Sequence, residues 1–397
     1  MFAGAMYGPV YLDWIITYGT SPAASIASFW TLAAPALLIS VGIPFFQRVE
    51  DELGLVRMLG LGCAFLFLSG SVAILSNTVW TLLLARAIVG IAAAALIVST
   101  TSLFARRHTG AQRKTWLARQ AAVMSFSAIV GAMVVGLLAK NGWRATFLLQ
   151  LVGLPAYALA MWLAARESTL WRPRYFVERE VLALGGPPLV VLPLTTPPAP
   201  PASEALPRRW KLFAFGVTAG VGMMHYFALV QLVSTVIATE FQLSSLQLGM
   251  TLSSLLLSAG VSVWQSPRIP RILGYPRSVA LAFTICALGF VAIAHVDRWS
   301  LLVAGLLFIG FGFGALRPTL SWWLNRITVE HQRARSLSFV TAANYVGISF
   351  SPLFVLFVQD WRRLQHVSAF WMLVIAATYL GLSFRKAWSE TEPPSEA

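Results

Sequence analysis

At positions 51–57 the chain reads DELGLVR, and at positions 271–277 it reads RILGYPR. Each phrase carries a charge, then Gly three residues on, then Arg three after that. Each also stands between two long apolar runs, and the leading charge is reversed in the second. A chain that writes one polar phrase twice, 220 residues apart, invites the reading that it is a duplicated structure.

The surroundings of the two phrases decide the solvent. Of the 397 residues, 57% are hydrophobic and only 11% are charged, and the mean hydropathy is +0.72. A soluble domain carries about 25% charged residues, so this chain cannot cover itself with polar groups in water. It belongs in lipid. A crossing helix needs about 20 mostly apolar residues. Such runs fall near 1–18, 24–46, 57–75, 79–104, 117–139, 145–165, 212–238, 245–265, 278–295, 299–324, 336–359 and 365–384, which makes twelve. None shows the ten-residue alternation of a membrane barrel strand. The first run, MFAGAMYGPVYLDWIITYG, starts apolar at residue 1 without a basic flank or a signal-peptide cleavage pattern. It reads as a helix lacking its first turns, or as a short one.

Charge placement orients the chain. With the N-terminus on the cytoplasmic side and twelve crossings, 22 Lys and Arg fall in cytoplasmic segments and 5 outside, with Arg86 and Arg317 inside helices. That is the positive-inside bias, and it puts both termini in the cytoplasm at a cell membrane. The net charge of +14 is therefore a membrane address. Basic residues scattered over short loops do not make a nucleic-acid surface. Cys63 and Cys286 both sit inside apolar runs, where a free thiol acts as a small hydrophobe.

Between 166 and 210 the chain turns polar, and its second part, GGPPLVVLPLTTPPAPPASEALPRR, is too rich in proline for a helix or a central strand. It reads as a cytoplasmic tether. The domains are then 1–165, a six-helix bundle, the linker 166–210, a second six-helix bundle at 211–387, and a cytoplasmic tail at 388–397. The bundles echo one another. WTLL at 80–83 returns as WSLL at 299–302, QR at 112–113 returns at 332–333, and WR at 143–144 returns at 361–362. The offsets are 219, 220 and 218, beside 220 for the opening phrase. Parallel repeats related by an axis along the membrane normal are one recurrent plan of secondary transporters.

On these residues the chain resembles the major facilitator superfamily, and the likeness runs over essentially its whole length. The family's Asp-x-x-Gly-x-x-Arg core matches Asp51, Gly54 and Arg57, with Gln47 where a Gly is usual. The second copy keeps Gly274 and Arg277 but has Arg271 in place of the acid. Arg86, Gly90 and the alanines at 92–95 match the fourth helix of the family. GAMVVG at 131–136 and NGWRATF at 141–147 resemble the fifth helix of the drug/proton antiporter branch, although its Pro is missing. The resemblance implies an all-α membrane protein, twelve helices in two pseudo-symmetric bundles. It also implies proton coupling through an acid in the first helix and the Arg of the fourth, here Asp13 and Arg86.

The residues allow further expectations. Gly54 and Gly274 permit a positive-φ turn. Asp51 pairs with Arg residues or a helix N-terminus across the cytoplasmic face and latches the outward-facing state, or the phrase is only a solvated hairpin. The reversed sign at Arg271 means that the second loop, with Gly274 and Arg277, cannot make the same latch. Arg86 and Asp13 each lie about five to seven residues inside the outer end of a run, roughly 10 Å deep. They are read either as a coupling pair or as an interfacial acid and a structural arginine. His225 stands near mid-membrane, where it carries a proton, touches solute, or simply bonds between helices. Gln231 points elsewhere on that helix. Arg317, near an inner end, snorkels, pairs, or binds an anion at the cavity floor. Tyr11, Trp14, Trp30, Tyr226, Phe227 and Tyr345 are candidates for an apolar cavity wall, with packing as the ordinary alternative. Trp80, Trp143, Trp299 and Trp361 are expected in an outer aromatic belt, and Trp116 and Trp210 in an inner one. Buried acids are scarce, which disfavours a strongly cationic solute.

No Walker loop, metal-ligand cluster or catalytic constellation is present in the sequence, so no cofactor, no metal and no enzyme activity are expected. The reading is a monomeric, proton-coupled secondary transporter that exports a small, partly apolar organic solute. The alternatives are a proton-coupled importer of a nutrient, or a transporter-like scaffold or sensor.

Overall fold

In the computed structural model, which describes residue 17 and residues 22–107, 110–166, 209–234, 240–266, 268–328, 330–358 and 360–384, the phrase at 51–57 is not a loop. Helix α1 (Pro22–Leu53) runs into it, and α2 (Leu55–Ile74) begins two residues later. The break is Gly54 alone, at φ 79° and ψ 162°. In the second phrase a short helix, α8 (Ile269–Leu273), is followed by Gly274 at φ 76° and ψ 163°, then by α9 (Tyr275–Ala294). The hydrogen bonds match as well. Gly54 N–H donates to the Glu50 carbonyl and the Gly54 carbonyl accepts from Met58 N–H. Gly274 repeats this with Pro270 and Ser278. This corner of backbone space is essentially reserved for glycine and costs other residues about 1–3 kcal/mol. The two glycines are written into the sequence because the same one-residue bend is made twice.

The remaining elements are α3 (Val79–Arg107), α4 (Gly110–Leu138), a 3-10 turn (Ala139–Asn141), a 3-10 segment (Trp143–Val152) and α5 (Gly153–Arg166). After the linker come α6 (Arg209–Leu232), α7 (Ser245–Gln265), α10 (Trp299–Ile327), α11 (Glu330–Phe357) and α12 (Trp361–Leu382). Each of the eleven expected crossings after the first coincides with one of these helical segments. Except for residue 17, the first, 1–18, lies outside the described residues, as do 167–208 of the linker and the tail at 388–397. Among the described residues nine helices are long and apolar enough to cross a membrane, and Phe126–Asn141 is a shorter apolar one. The protein is an all-α, multi-pass membrane protein.

The described helices form two compact units. In one, residues 34–107 and 110–121 group with 147–166. Here α2 packs against α3 and α5. The 3-10 segment lies close against α2: Ser69 Oγ hydrogen-bonds Gln150 Oε1 at 2.7 Å, with both residues buried. A Cβ on Gly153 would sit 2.5 Å from the Cys63 carbonyl oxygen.

In the other unit, residues 22–33 and 122–146 group with the chain from 209 onward. Helix α10 is held between α7 and α9 by the glycines of FIGFGFG at 308–314. A Cβ on Gly310 or Gly314 would meet backbone of α7 at Leu255 or Ala259, while one on Gly312 would meet Cys286 of α9. Lipid offers no hydrophobic drive for helices to associate, so close backbone approach through small residues holds them. The same device joins α6 to α11, where Gly220 lies against Ala343 and Gly347. Helix α4 packs on α7 by Ala128 and Ala132 against Leu256, with Ser253 Oγ donating to the Ile129 carbonyl at 3.3 Å.

Candidate functional site

Three helices of the second unit leave space between them. Ala219 and Met223 of α6, five residues of α10 and four of α11 line a small cavity that is partly open to the outside. The α10 residues are Phe313, Leu316, Arg317, Leu320 and Ser321, and those of α11 are Leu337, Val340, Thr341 and Asn344. Each set follows the spacing of one helix face. Among the described residues the walls combine seven apolar side chains with a polar strip of Ser321, Thr341 and Asn344 and the charge of Arg317. Pro318, the next residue, lies inside α10 and cannot donate to the Gly314 carbonyl. The helix therefore lacks one rung where its guanidinium enters the cavity.

The residues expected to form a site are distributed unevenly around this space. Arg317 is exposed and lines the cavity. Tyr345 is buried beside Asn344 and lies within electrostatic reach of Arg317. Tyr226 and Phe227 are buried too. Tyr226 packs edge-on against Phe313 with ring centroids 5.1 Å apart, so it backs the wall rather than forming it. Trp30 is half-buried in α1. Arg86 is entirely buried in α3. Asp13, Tyr11 and Trp14 lie outside the described residues.

His225 is 1% exposed. Its Nδ1 lies 2.9 Å from the Val221 carbonyl and must donate to it, which leaves Nε2 as the bare acceptor. Among the described residues that Nε2 is buried without a hydrogen-bond partner, and the ring lies against Phe354 of α11 at 4.6 Å. Gln231 does not point away from this neighbour. Its Nε2 donates to Ser351 Oγ of the same helix at 3.0 Å.

At the repeated phrases, Arg57, Arg271 and Arg277 are exposed. The side chain of Asp51 lies outside what the structure describes. The acid that is placed is its neighbour Glu50, 4% exposed, which accepts from Ser102 Oγ of α3 at 2.6 Å. The sequence reading passed over Glu50 because the family pattern drew attention to Asp51. The Trp-Arg repeat also survives in three dimensions. The Arg144 guanidinium carbon stands 4.7 Å from the Trp143 ring and that of Arg362 5.0 Å from Trp361. Both of these tryptophans are buried, unlike the exposed Trp80 and Trp299, so only two of the four expected belt residues have the exposure that a belt requires.

Asn344, Thr341, Ser321 and Met223 were missed as cavity residues. Thr341 and Asn344 stand three apart in an otherwise largely apolar run, so a shared polar face was legible there. Their convergence with Arg317 depends on α10 meeting α11, which no local pattern encodes.

A helical membrane protein with a cavity of apolar and polar side chains among three of its crossing helices has the build of a solute transporter. A family model described as Major Facilitator Superfamily matches residues 1–352, and the chain belongs to that superfamily. No curated protein matches the chain. Among solved structures, peptide transporter POT in complex with sulfate is similar at 14% identity and TM-score 0.71, covering 98% of this chain and 94% of that chain. A POT family transporter in complex with 5-aminolevulinic acid is similar at 11% identity and TM-score 0.69, covering 96% and 94%. A D-xylose-proton symporter is similar at 12% identity and TM-score 0.70, covering 98% and 97%. At these identities the likeness is one of fold. The protein is a membrane transporter of the major facilitator type, and the family is not one of enzymes.

Proposed function

We propose that the protein is a secondary active transporter that moves a small, partly apolar organic solute outward across the cell membrane in exchange for protons. The observation that carries the reading is the small cavity among α6, α10 and α11, where apolar side chains stand beside a polar strip. Sites for small organic molecules have this make-up. Outward transport is supported by the likeness of NGWRATF at 141–147 to the antiporter branch. Asp13 and Arg86 are assigned to proton coupling, with His225 Nε2 as a further proton acceptor. Asp51, Gly54 and Arg57 are assigned to a cytoplasmic latch. The excess of 22 basic residues over 5 supports cytoplasmic termini, and the protein acts as a monomer, its two six-helix bundles rocking about the solute.

A second reading, import by proton symport, is favoured by the D-xylose-proton symporter among the similar folds. The sign of proton movement separates the two. In proteoliposomes loaded with a pH-sensitive dye, a transported solute added outside alkalinises the lumen if exchange is antiport and acidifies it if transport is symport. Antiport predicts alkalinisation. Acidification overturns the direction proposed here and leaves the symporter.

A further inference from the structure

We propose that the second of the two glycine bends is a lipid site. Arg268 and Arg271 straddle the phosphate of an anionic phospholipid, and Trp264 and Ile272 lie against its acyl chains. The inference goes beyond transport and holds for either direction of solute movement.

Three observations converge. The first is that one bend is built twice with its charge reversed. The segment 48–57 holds Arg48, Glu50, Asp51, Glu52 and Arg57, whereas 268–277 holds Arg268, Arg271 and Arg277 and no acid. No Asp or Glu occurs anywhere between Glu240 and Asp297. Glu50 turns inward to accept from Ser102, but Pro270, which takes its place in the second bend, is buried and has no side chain to form such a bond. The backbone geometry is kept while the acids are gone, and what remains is a cationic patch that attracts anions.

The second observation is place. Helix α7 completes its apolar span at Gln265 and α9 begins its own at Tyr275, so the bend between them stands at the bilayer surface. Trp264 marks the depth of the headgroups, where tryptophan collects. The Arg268 guanidinium carbon stands 5.7 Å from the centre of the Trp264 ring, which holds it at the same level.

The third is what the bend leaves open. Arg268, Arg271 and Arg277 are exposed, and among the described residues none of their guanidinium groups is paired with an acid or a hydrogen-bond acceptor. Arg268 and Arg271 stand one helical turn apart, with Cβ atoms roughly 5–6 Å from each other. Two planar forks at that spacing close on one phosphate. Beside them Ile272 is 81% exposed and Trp264 is 72% exposed, and the place of Ile272 in the first bend is taken by Glu52. Apolar side chains set among arginines at this level enter the acyl layer while the guanidinium groups stay with the phosphates.

The test uses the full chain, purified in a neutral detergent, with Tm followed as phospholipid is added. Phosphatidylglycerol and phosphatidylcholine with the same dioleoyl chains are compared, alongside inorganic phosphate. Phosphatidylglycerol is expected to raise Tm at mole fractions where phosphatidylcholine does not, and high salt should shrink the shift. Arg268→Gln and Arg271→Gln should each weaken the apparent affinity for phosphatidylglycerol roughly fivefold, and the double variant more than either. Both side chains are exposed, so Tm without lipid should stay close to wild type. Ile272→Glu, which restores the acid of the first bend, should weaken the response as well. Arg363→Gln, at an exposed arginine of the opposite membrane surface, should leave it unchanged.

Equal stabilisation by the two lipids, or none by either, overturns the proposal. So does a phosphatidylglycerol preference that survives in the double variant or is lost equally in Arg363→Gln. An effect of inorganic phosphate as large as that of the lipid also overturns it, since the site would then hold a free anion. The transporter reading is scored separately, by the lumenal pH change, and none of these outcomes decides it.

Discussion

Replacing Gly347 by leucine is expected to leave little or no folded protein. At this position of α11 a Cβ would run into the Gly220 carbonyl of α6. The helices touch backbone to backbone, so neither can turn a flexible side chain aside. Overpacking a core by a few methylenes costs about 1–3 kcal/mol. Here the obstacle is main chain, and a leucine requires the two helices to part. Gly347→Ala carries the same collision in its Cβ alone and should cost an amount within that range. The effect is specific to the seam. A Cβ on Gly260 or Gly381 meets nothing within 4 Å, so leucine at either should preserve the wild-type yield. Size-exclusion recovery and thermal unfolding in detergent measure all four. Wild-type Tm for Gly347→Leu would mean that α6 and α11 are not in contact at Gly220.

The second large effect is functional. Arg86→Ala is expected to lower solute-driven proton movement in proteoliposomes by roughly one to two orders of magnitude, the range of a coupling free energy, while the protein stays folded. The guanidinium is completely buried in a membrane-spanning helix. Burying such a charge costs at least about 2.5–3.5 kcal/mol on insertion scales, and size-exclusion recovery and Tm of the variant check that the fold survives its removal. Arg86→Lys should restore only part of the rate, because an ammonium cannot form the fork of a guanidinium. A wild-type rate in Arg86→Ala would remove this residue from the coupling machinery.

The parts of the structure that the sequence disclosed are those written in one dimension. Apolar run length placed the crossing helices. The recurrence of Gly and Arg at one offset located Gly54 and Gly274, whose backbone angles agree within a few degrees. What escaped depends on which helix meets which. The 51–57 phrase looked like a loop because it is polar, yet all but Gly54 is helical. The contact of Glu50 with Ser102 spans 52 residues, that of Ser69 with Gln150 spans 81, and that of Gln231 with Ser351 spans 120. A Ser or Gln inside an apolar run announces that some partner exists without saying where. The glycines of 308–314 show the same limit, since a Gly in a membrane helix does not state which neighbour approaches it.

Alternating exposure of the cavity is tested most directly by the reach of a thiol reagent. Cys63 and Cys286 are free and buried, at 3% and 1% exposure, so the wild-type protein should resist a membrane-impermeant maleimide. A cysteine introduced as Thr341→Cys would stand on the cavity wall. The expected result is labelling from the cytoplasmic face in inside-out vesicles and from the outer face in right-side-out vesicles. A proton gradient should shift the balance, raising one rate as it lowers the other. Labelling from a single face under every gradient, or from neither, would contradict alternating access.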